Sequence, residues 1–141
     1  MPVRRANAEW RGDLTSGTGT VSTESGAVKG DYSFPSRFES GEGTNPEELV
    51  GAAHAACFSM AFSNGLAKAG FTPESVRTEA RVHLEKGDAG FSITQIHLDC
   101  VARVPGIDEA TFQAQAKGAK GGCPISKALS AIEIRLDARL A

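Results

Sequence analysis

The sequence predicts a single domain of the α+β class, and three observations lead to this. Its 141 residues are the length of one globular domain. Apolar and polar residues alternate over residues 76–85, 94–104 and 132–140, which predicts half-buried strands. A helical spacing of apolar residues predicts one long helix near the middle of the chain. Because these strands and helices are segregated rather than strictly interleaved, the pattern favours α+β over α/β.

The first forty residues carry the turn signals of small strands. Short runs of residues that suit strands are separated by frequent glycines. The sequence Gly17-Thr18-Gly19 could suggest a phosphate-binding loop, but no lysine-serine pair follows it. We therefore expect a hairpin turn there.

The long helix has a well-defined beginning and end. Asn45 suits the N-cap, Pro46 the first helical position and Glu48 the third, while Gly70 suits the end. The predicted helix has about 24 residues and is about 36 Å long. Its middle is almost entirely small, which predicts close approach by neighbouring elements; these residues are Gly51, Ala52, Ala53 and Ala56.

Two further helices are predicted before the last strand. Asp108 suits the N-cap of a helix that runs to about Ala119. The glycines at 121 and 122 end it, and Cys123-Pro124 begins a short third helix.

Composition and charge make several classes of protein improbable. The net charge of -2 gives no electrostatic reason to bind nucleic acid or an anionic membrane. No uninterrupted run of about 18 apolar residues exists and the beginning of the chain is polar, so we expect a cytoplasmic protein with no membrane partner. Three cysteines are an odd number for a disulfide framework, which indicates thiols with individual roles.

The three cysteines lie in different settings. Cys100 is on the apolar side of its strand and is expected to be a buried structural thiol. Cys57 lies mid-helix among alanines; taken alone it suits the core, and its ionisation needs a specific cation. Cys123 is at a predicted N-cap, where free N–H groups favour a thiolate. Cys57 and Cys123 are 66 positions apart, so any pairing must be made by the fold.

His54 lies three residues before Cys57, so the two side chains share a helix face and are half of a metal site. No second compact half is present in the sequence. We therefore expect no metal, and a His54 that faces solvent or makes a hydrogen bond.

Four segments together resemble the OsmC family, in its osmotically inducible protein C branch: residues 36–39 (Ser-Arg-Phe-Glu), 44–49, 52–60 and 122–124 (Gly-Cys-Pro). The resemblance implies an OsmC-like fold with antiparallel sheets packed around a long central helix, in an intertwined homodimer. It also implies a thiol-dependent peroxidase that acts on organic hydroperoxides, and on hydrogen peroxide, in stress defence. No metal, flavin or haem is expected, and the implied reductant is an external dithiol of the lipoyl type.

The resemblance also implies roles for four residues. Cys57 matches the peroxidatic cysteine and Cys123 the resolving cysteine. Arg37 matches the arginine that activates the first thiol, and Glu47 the carboxylate that orients that arginine. Attack of a thiolate on an O–O bond needs a lowered thiol pKa and a fixed cation, and an arginine can supply both.

Helix geometry adds an expectation about assembly. Glu47 and Cys57 are ten residues apart on the predicted helix, which is about 15 Å along its axis. One guanidinium, with hydrogen bonds of about 3 Å at each end, cannot contact both groups of one helix. We therefore expect a homodimer whose site takes Cys57 and Cys123 from one chain and Glu47, with Arg37, from the other.

Two other functions remain open at this point. One is cysteine-dependent acyl transfer with His54 as the base for Cys57. The other is a module that binds a small apolar ligand and whose thiols are incidental.

Overall fold

The computed structural model describes residues 1–141. They divide into two compact units, Met1–Leu49 and Val50–Ala141, which meet within one helix. The single-domain interpretation of residues 1–141 stays a prediction.

The first unit contains a three-stranded antiparallel sheet in the order β1 (Ala6–Arg11), β2 (Thr18–Thr23), β3 (Lys29–Tyr32). The hairpin predicted near residues 17–19 is present, with its connection at residues 12–17. Gly19 of β2 is paired with Trp10 on one side and Tyr32 on the other. A Cβ at Gly19 would lie 2.4 Å from the Tyr32 ring, so these strands require glycine at this position.

A short helix, α1 (Phe34–Phe38), follows β3 and is absent from the sequence-based prediction. Ser33 and Ser36 form a reciprocal capping box: each side chain accepts a hydrogen bond from the backbone N–H of the other. The signal in the sequence is Ser33 followed by Pro35, but five residues are too few for helical periodicity to be visible. This helix carries Arg37 in its last turn.

The long helix, α2 (Pro46–Lys68), confirms the prediction. The side chain of Asn45 accepts a hydrogen bond of 2.7 Å from the Glu48 backbone N–H, as expected of an N-cap. At the other end, Gly70 adopts a positive φ of 95°, and the Phe71 N–H returns to the Leu66 carbonyl at 2.9 Å.

By length and composition alone, α2 is apolar enough to cross a membrane, with a mean hydropathy of 1.2. No uninterrupted run of 18 apolar residues exists in this helix, because polar residues such as His54, Ser59 and Ser63 interrupt it, but its many alanines raise the mean. Only 28% of that stretch is buried within the chain. One such helix is weak evidence for a membrane protein, since the core helix of a soluble protein passes the same test.

The second unit contains a mixed sheet. Strands β4 (Ser75–Gly87) and β5 (Gly90–Arg103) are antiparallel, as the alternating patterns indicate, but β6 (Glu133–Leu140) runs parallel to β5. The expectation of antiparallel sheets is therefore wrong only for the pairing of β6 with β5. The physical reason is the crossover between β5 and β6 through α3 (Glu109–Gly122) and α4 (Pro124–Ala128), which brings the chain back in the same direction.

The core of the second unit lies between α2, α3 and the mixed sheet. Phe58, Phe62 and Leu66 of α2 are fully buried with Phe112 of α3. Fully buried residues of β5 complete this core: Ile96, Leu98, Cys100 and Ala102. The fully buried position expected for Cys100 is therefore confirmed. This packing fixes α2 against the sheet and so fixes the positions of His54 and Cys57.

Candidate active site

Cys57 and Cys123 come together in the second unit. Cys57 lies on α2, and Cys123 is the residue immediately before α4. Their sulfur atoms are 2.6 Å apart, although 66 positions separate the residues in the chain. Because a disulfide bond measures about 2.05 Å, bond formation needs a shift of only about half an ångström. No spacing in the sequence shows this contact, since it depends on the crossover that places α4 beside α2.

The two thiols differ in exposure and in pKa. Cys57 is half-buried, whereas Cys123 is fully buried. Burial, together with the contact to Cys123, raises the pKa of Cys57, and the backbone N–H of Ile125 opposes this only in part. Burial also acts to raise the pKa of Cys123, but interactions with Cys57, Ser126 and Ile125 outweigh it and lower that pKa overall. No cation is among the groups that shift the pKa of Cys57.

Arg37 and Glu47 form a second pair, within the first unit. Arg37 Nε lies 3.2 Å from both carboxylate oxygens of Glu47, and Nη2 lies 2.7 Å from one of them. Glu47 is in the first turn of α2, and its side chain is only 10% exposed. A two-pronged contact with a nearly buried carboxylate fixes the plane of the guanidinium and leaves Nη1 for another acceptor.

Arg37 also lines an apolar cavity of the first unit. The cavity has a volume of about 220 Å³ and is bounded mainly by aromatic and aliphatic side chains: Trp10, Leu14, Tyr32, Phe34 and Phe38, together with Ser33 and Arg37. The Arg37 guanidinium carbon lies 5.2 Å from the centre of the Phe38 ring, within the range of a cation–π contact. One charged group in an otherwise apolar cavity suits a small ligand with an apolar body and one polar end.

His54 makes a contact that the sequence analysis left open. Its ring is fully buried, and Nε2 lies 2.8 Å from the Ser126 hydroxyl oxygen. Burial lowers the pKa of His54 and so favours the neutral ring. The alternative with His54 as the base for Cys57 is not supported by this geometry, because the hydrogen-bonded nitrogen faces Ser126. No group of three or more His, Cys, Asp and Glu side chains is placed to hold a metal ion.

Ser126 is a site residue that the sequence analysis did not find. It is the third residue of α4, one turn after Cys123, and it is buried. Its signal in the sequence was the spacing Cys123-Pro124-Ile125-Ser126, in which the N-cap and third helical positions face each other.

Comparison with known proteins gives the family. The family described as OsmC-like protein matches residues 39–137 of the chain. Peroxiredoxin OsmC of Escherichia coli is 56% identical over 138 residues, which cover 97% of this chain and 96% of the relative. An organic hydroperoxide resistance protein of Xanthomonas axonopodis is 31% identical over 79% of this chain and 82% of its own length.

Solved structures show the same fold. The organic hydroperoxide resistance protein OhrB of Bacillus subtilis has a TM-score of 0.72 with 26% identity, covering 95% of this chain and 97% of its own. An OsmC-like protein of Vibrio cholerae has a TM-score of 0.78 with 21% identity, covering 98% and 99% of the two chains. The full-length match to the Escherichia coli relative is much stronger than the matches to the organic hydroperoxide resistance proteins. The chain therefore belongs to the OsmC-like protein family, and within it to the OsmC branch.

Proposed function

We propose that this chain reduces organic hydroperoxides with Cys57 as the peroxidatic thiol and Cys123 as the resolving thiol. A cysteine-based peroxidase is what membership of the OsmC branch indicates, with a peroxide as substrate and a thiol as reductant. The observation that carries the assignment of residues is the 2.6 Å separation of the two sulfur atoms.

Exposure favours Cys57 over Cys123 as the first thiol to react. Cys123 has the lower pKa, but its side chain is fully buried, and a hydroperoxide cannot reach it without an opening of the core. Cys57 is half-buried and therefore accessible, and its pKa is raised mainly by burial. A nearby cation lowers the pKa of a thiol, and we assign this role to Arg37, which Glu47 holds in place.

The proposed cycle balances in three steps. The Cys57 thiolate attacks the terminal peroxide oxygen, so that an S–O bond forms, the O–O bond breaks and Cys57 becomes a sulfenic acid, while the alkoxide takes a proton and leaves as an alcohol. The Cys123 sulfur then attacks the Cys57 sulfenic acid, so that an S–S bond forms, the S–O bond breaks and water leaves. An external dithiol finally reduces the disulfide by exchange, and we propose a dithiol of the lipoyl type.

We further propose that the chain works as a homodimer. On α2, Glu47 and Cys57 remain ten residues apart, or about 15 Å by helical rise, and Arg37 is bound to Glu47 of its own chain. The same helix exposes a stripe of small and apolar side chains at Ala52, Ala53, Ala56 and Met60. Met60 is 76% exposed, which is unusual for a large apolar residue in mid-helix.

A second copy of the chain explains both observations. Two antiparallel copies of α2 bring Glu47 and Arg37 of one chain beside Cys57 of the other and cover the exposed stripe. Small side chains allow the two helix backbones to approach closely. In this arrangement residues 1–141 act as one domain of a soluble, cytoplasmic dimer.

The apolar cavity around Arg37 supports an organic hydroperoxide as substrate. Hydrogen peroxide gains nothing from aromatic walls, whereas the body of an organic hydroperoxide is desolvated there. Arg37 at the same cavity offers a donor for the peroxide oxygens.

Mass spectrometry after one equivalent of cumene hydroperoxide tests the assignment of the two thiols. We expect the wild-type chain to lose two hydrogen atoms and to form a disulfide that peptide mapping places between Cys57 and Cys123. The Cys123→Ser variant is expected to gain one oxygen atom on Cys57 instead. A wild-type chain that keeps three free thiols, or that forms a disulfide with Cys100, would contradict the proposal.

Substitution of Leu14 tests the proposed binding of the organic group. Leu14→Ser removes an apolar wall of the cavity, and we expect kcat/KM for cumene hydroperoxide to fall about tenfold, the value of one aliphatic side chain. For hydrogen peroxide we expect a change of less than about twofold, since that substrate makes no apolar contact. Val28→Ser, at an exposed apolar residue outside the cavity, is the matched control. Equal losses for both peroxides would show that the cavity does not select the substrate.

A further inference from the structure

Two neighbouring side-chain contacts join α2 to the beginning of α4. On α2, His54 and Cys57 are three residues apart and share a face; Cys123 and Ser126 are also three apart, across the first turn of α4. One contact is the 2.6 Å approach of the two sulfur atoms. The other is the 2.8 Å hydrogen bond between His54 and Ser126. The second contact thus lies directly beside the first.

The unused nitrogen of His54 fixes the direction of that hydrogen bond. Nδ1 is buried and has no hydrogen-bond partner. A neutral imidazole carries one proton, and a buried N–H without an acceptor is less tolerable than a bare acceptor nitrogen. The proton therefore lies on Nε2, which donates to the Ser126 hydroxyl oxygen. The hydroxyl hydrogen of Ser126 then remains available for another acceptor.

The first turn of α4 offers one acceptor to this hydroxyl, the sulfur of the N-cap residue Cys123, three residues before Ser126. Ser126 makes no capping hydrogen bond to this sulfur. The pKa of Cys123 is lowered against the effect of burial first by the contact to Cys57 and then by the backbone N–H and hydroxyl of Ser126. A closer approach of the hydroxyl is favoured once the sulfur becomes negative, because hydrogen bonds to ions are the stronger ones.

We propose that His54 and Ser126 are a positioning pair for the resolving step: His54 holds the Ser126 hydroxyl as a donor toward Cys123, and together they hold that sulfur in line with Cys57. This inference rests on the proposed peroxidase cycle. It gives a function to a fully buried histidine that the cycle itself does not use.

The step that the pair assists is balanced within the site. Cys123 loses its proton, and the resulting thiolate, stabilised by the Ser126 hydroxyl, attacks the sulfur of the Cys57 sulfenic acid. The S–O electron pair leaves with the hydroxide, which takes up a proton equivalent to the one that Cys123 released, so that water departs. Each sulfur ends at the oxidation level of a disulfide, and no further oxidant is needed.

A purely structural role predicts something different. Replacement of both partners of a buried hydrogen bond by apolar groups is often nearly neutral for stability, whereas removal of one partner is destabilising. The double variant His54→Leu/Ser126→Ala is therefore expected to fold with a melting temperature close to that of the wild type. If the pair assists the attack of Cys123 on the Cys57 sulfenic acid, this step remains slow in the double variant even though the variant is stable.

The experiment separates peroxide attack from resolution in a single turnover. Attack is followed by loss of cumene hydroperoxide, and resolution by loss of sulfenic acid that dimedone traps, with mass spectrometry at each time point. For Ser126→Ala and for the double variant we expect attack within about twofold of the wild type and resolution slowed about tenfold, the effect of one hydrogen bond to an ion. Ser126→Thr keeps the hydroxyl and should restore resolution to within about threefold.

Ser59→Ala is the matched control. Ser59 also lies on α2, and its hydroxyl forms a 2.8 Å hydrogen bond, to Thr78, that does not involve the cysteines. This variant should leave both rates unchanged. Resolution within about twofold of the wild type in the double variant, or equal slowing of both steps, would overturn the inference. A Cys123→Ser variant that never forms sulfenic acid would instead overturn the peroxidase cycle, so the two failures are distinguishable.

Discussion

Cys57→Ser is expected to abolish peroxidase turnover, to below about 1% of the wild-type rate, because a neutral serine hydroxyl does not cleave an O–O bond. Consumption of cumene hydroperoxide with excess dithiol is the measurement. The prediction is strict because Cys123 remains in this variant as a second free thiol. If accessibility rather than pKa decides which thiol reacts, Cys123 cannot take over, since its side chain is fully buried.

The control for this prediction is the third thiol. Cys100 is fully buried in the sheet and, because its pKa is raised by burial, it is a poor nucleophile. Cys100→Ala should therefore keep the wild-type rate. Residual turnover above a few per cent in Cys57→Ser would show that Cys123 or Cys100 reacts with peroxide directly, and the assignment of Cys57 would be wrong.

The sequence predicted those parts of the fold that depend on local signals. The N-cap at Asn45, the end of α2 at Gly70 and the alternating patterns of β4 and β5 each rest on residues within one turn or one strand. The short helix α1, which carries Arg37, was not predicted because five residues are too few to show a helical periodicity. The parallel direction of β6 was not predicted because a strand shows the same alternating pattern in either direction.

The candidate site divides in the same way. Arg37, Glu47, Cys57 and Cys123 were identified by resemblance, and the residues alone left Cys57 as a core thiol. The resemblance also implied that Glu47 orients Arg37 and that Cys123 resolves Cys57, and the structure places each pair in contact. In the sequence, Ser126 had no signal apart from its spacing of three residues from Cys123. Its hydrogen bond to the buried ring of His54, visible only in the structure, is what marks it as a candidate site residue.

Co-expression of two inactive chains tests the shared site directly. One chain carries Cys57→Ser and the other Glu47→Ala, and differently tagged heterodimers are purified. If Glu47 and Arg37 act on the Cys57 of the partner, the intact Cys57 of the second chain meets the intact Glu47 of the first. One of the two sites is then complete, and we expect about half of the wild-type activity per dimer.

The matched control pairs Cys57→Ser with Cys123→Ser. Both cysteines are supplied by the same chain, as their 2.6 Å contact within one chain requires, so no combination of these chains restores a complete site. This heterodimer should not cycle. Glu47 and Cys57 are separated by a helical rise of about 15 Å, so Glu47 acts on the partner's thiol and not on that of its own chain. For this reason activity is restored in the first heterodimer and not in the control. Activity in the control, inactivity of the Cys57→Ser/Glu47→Ala heterodimer, or sedimentation of the wild type as a monomer at micromolar concentration would each contradict the shared site.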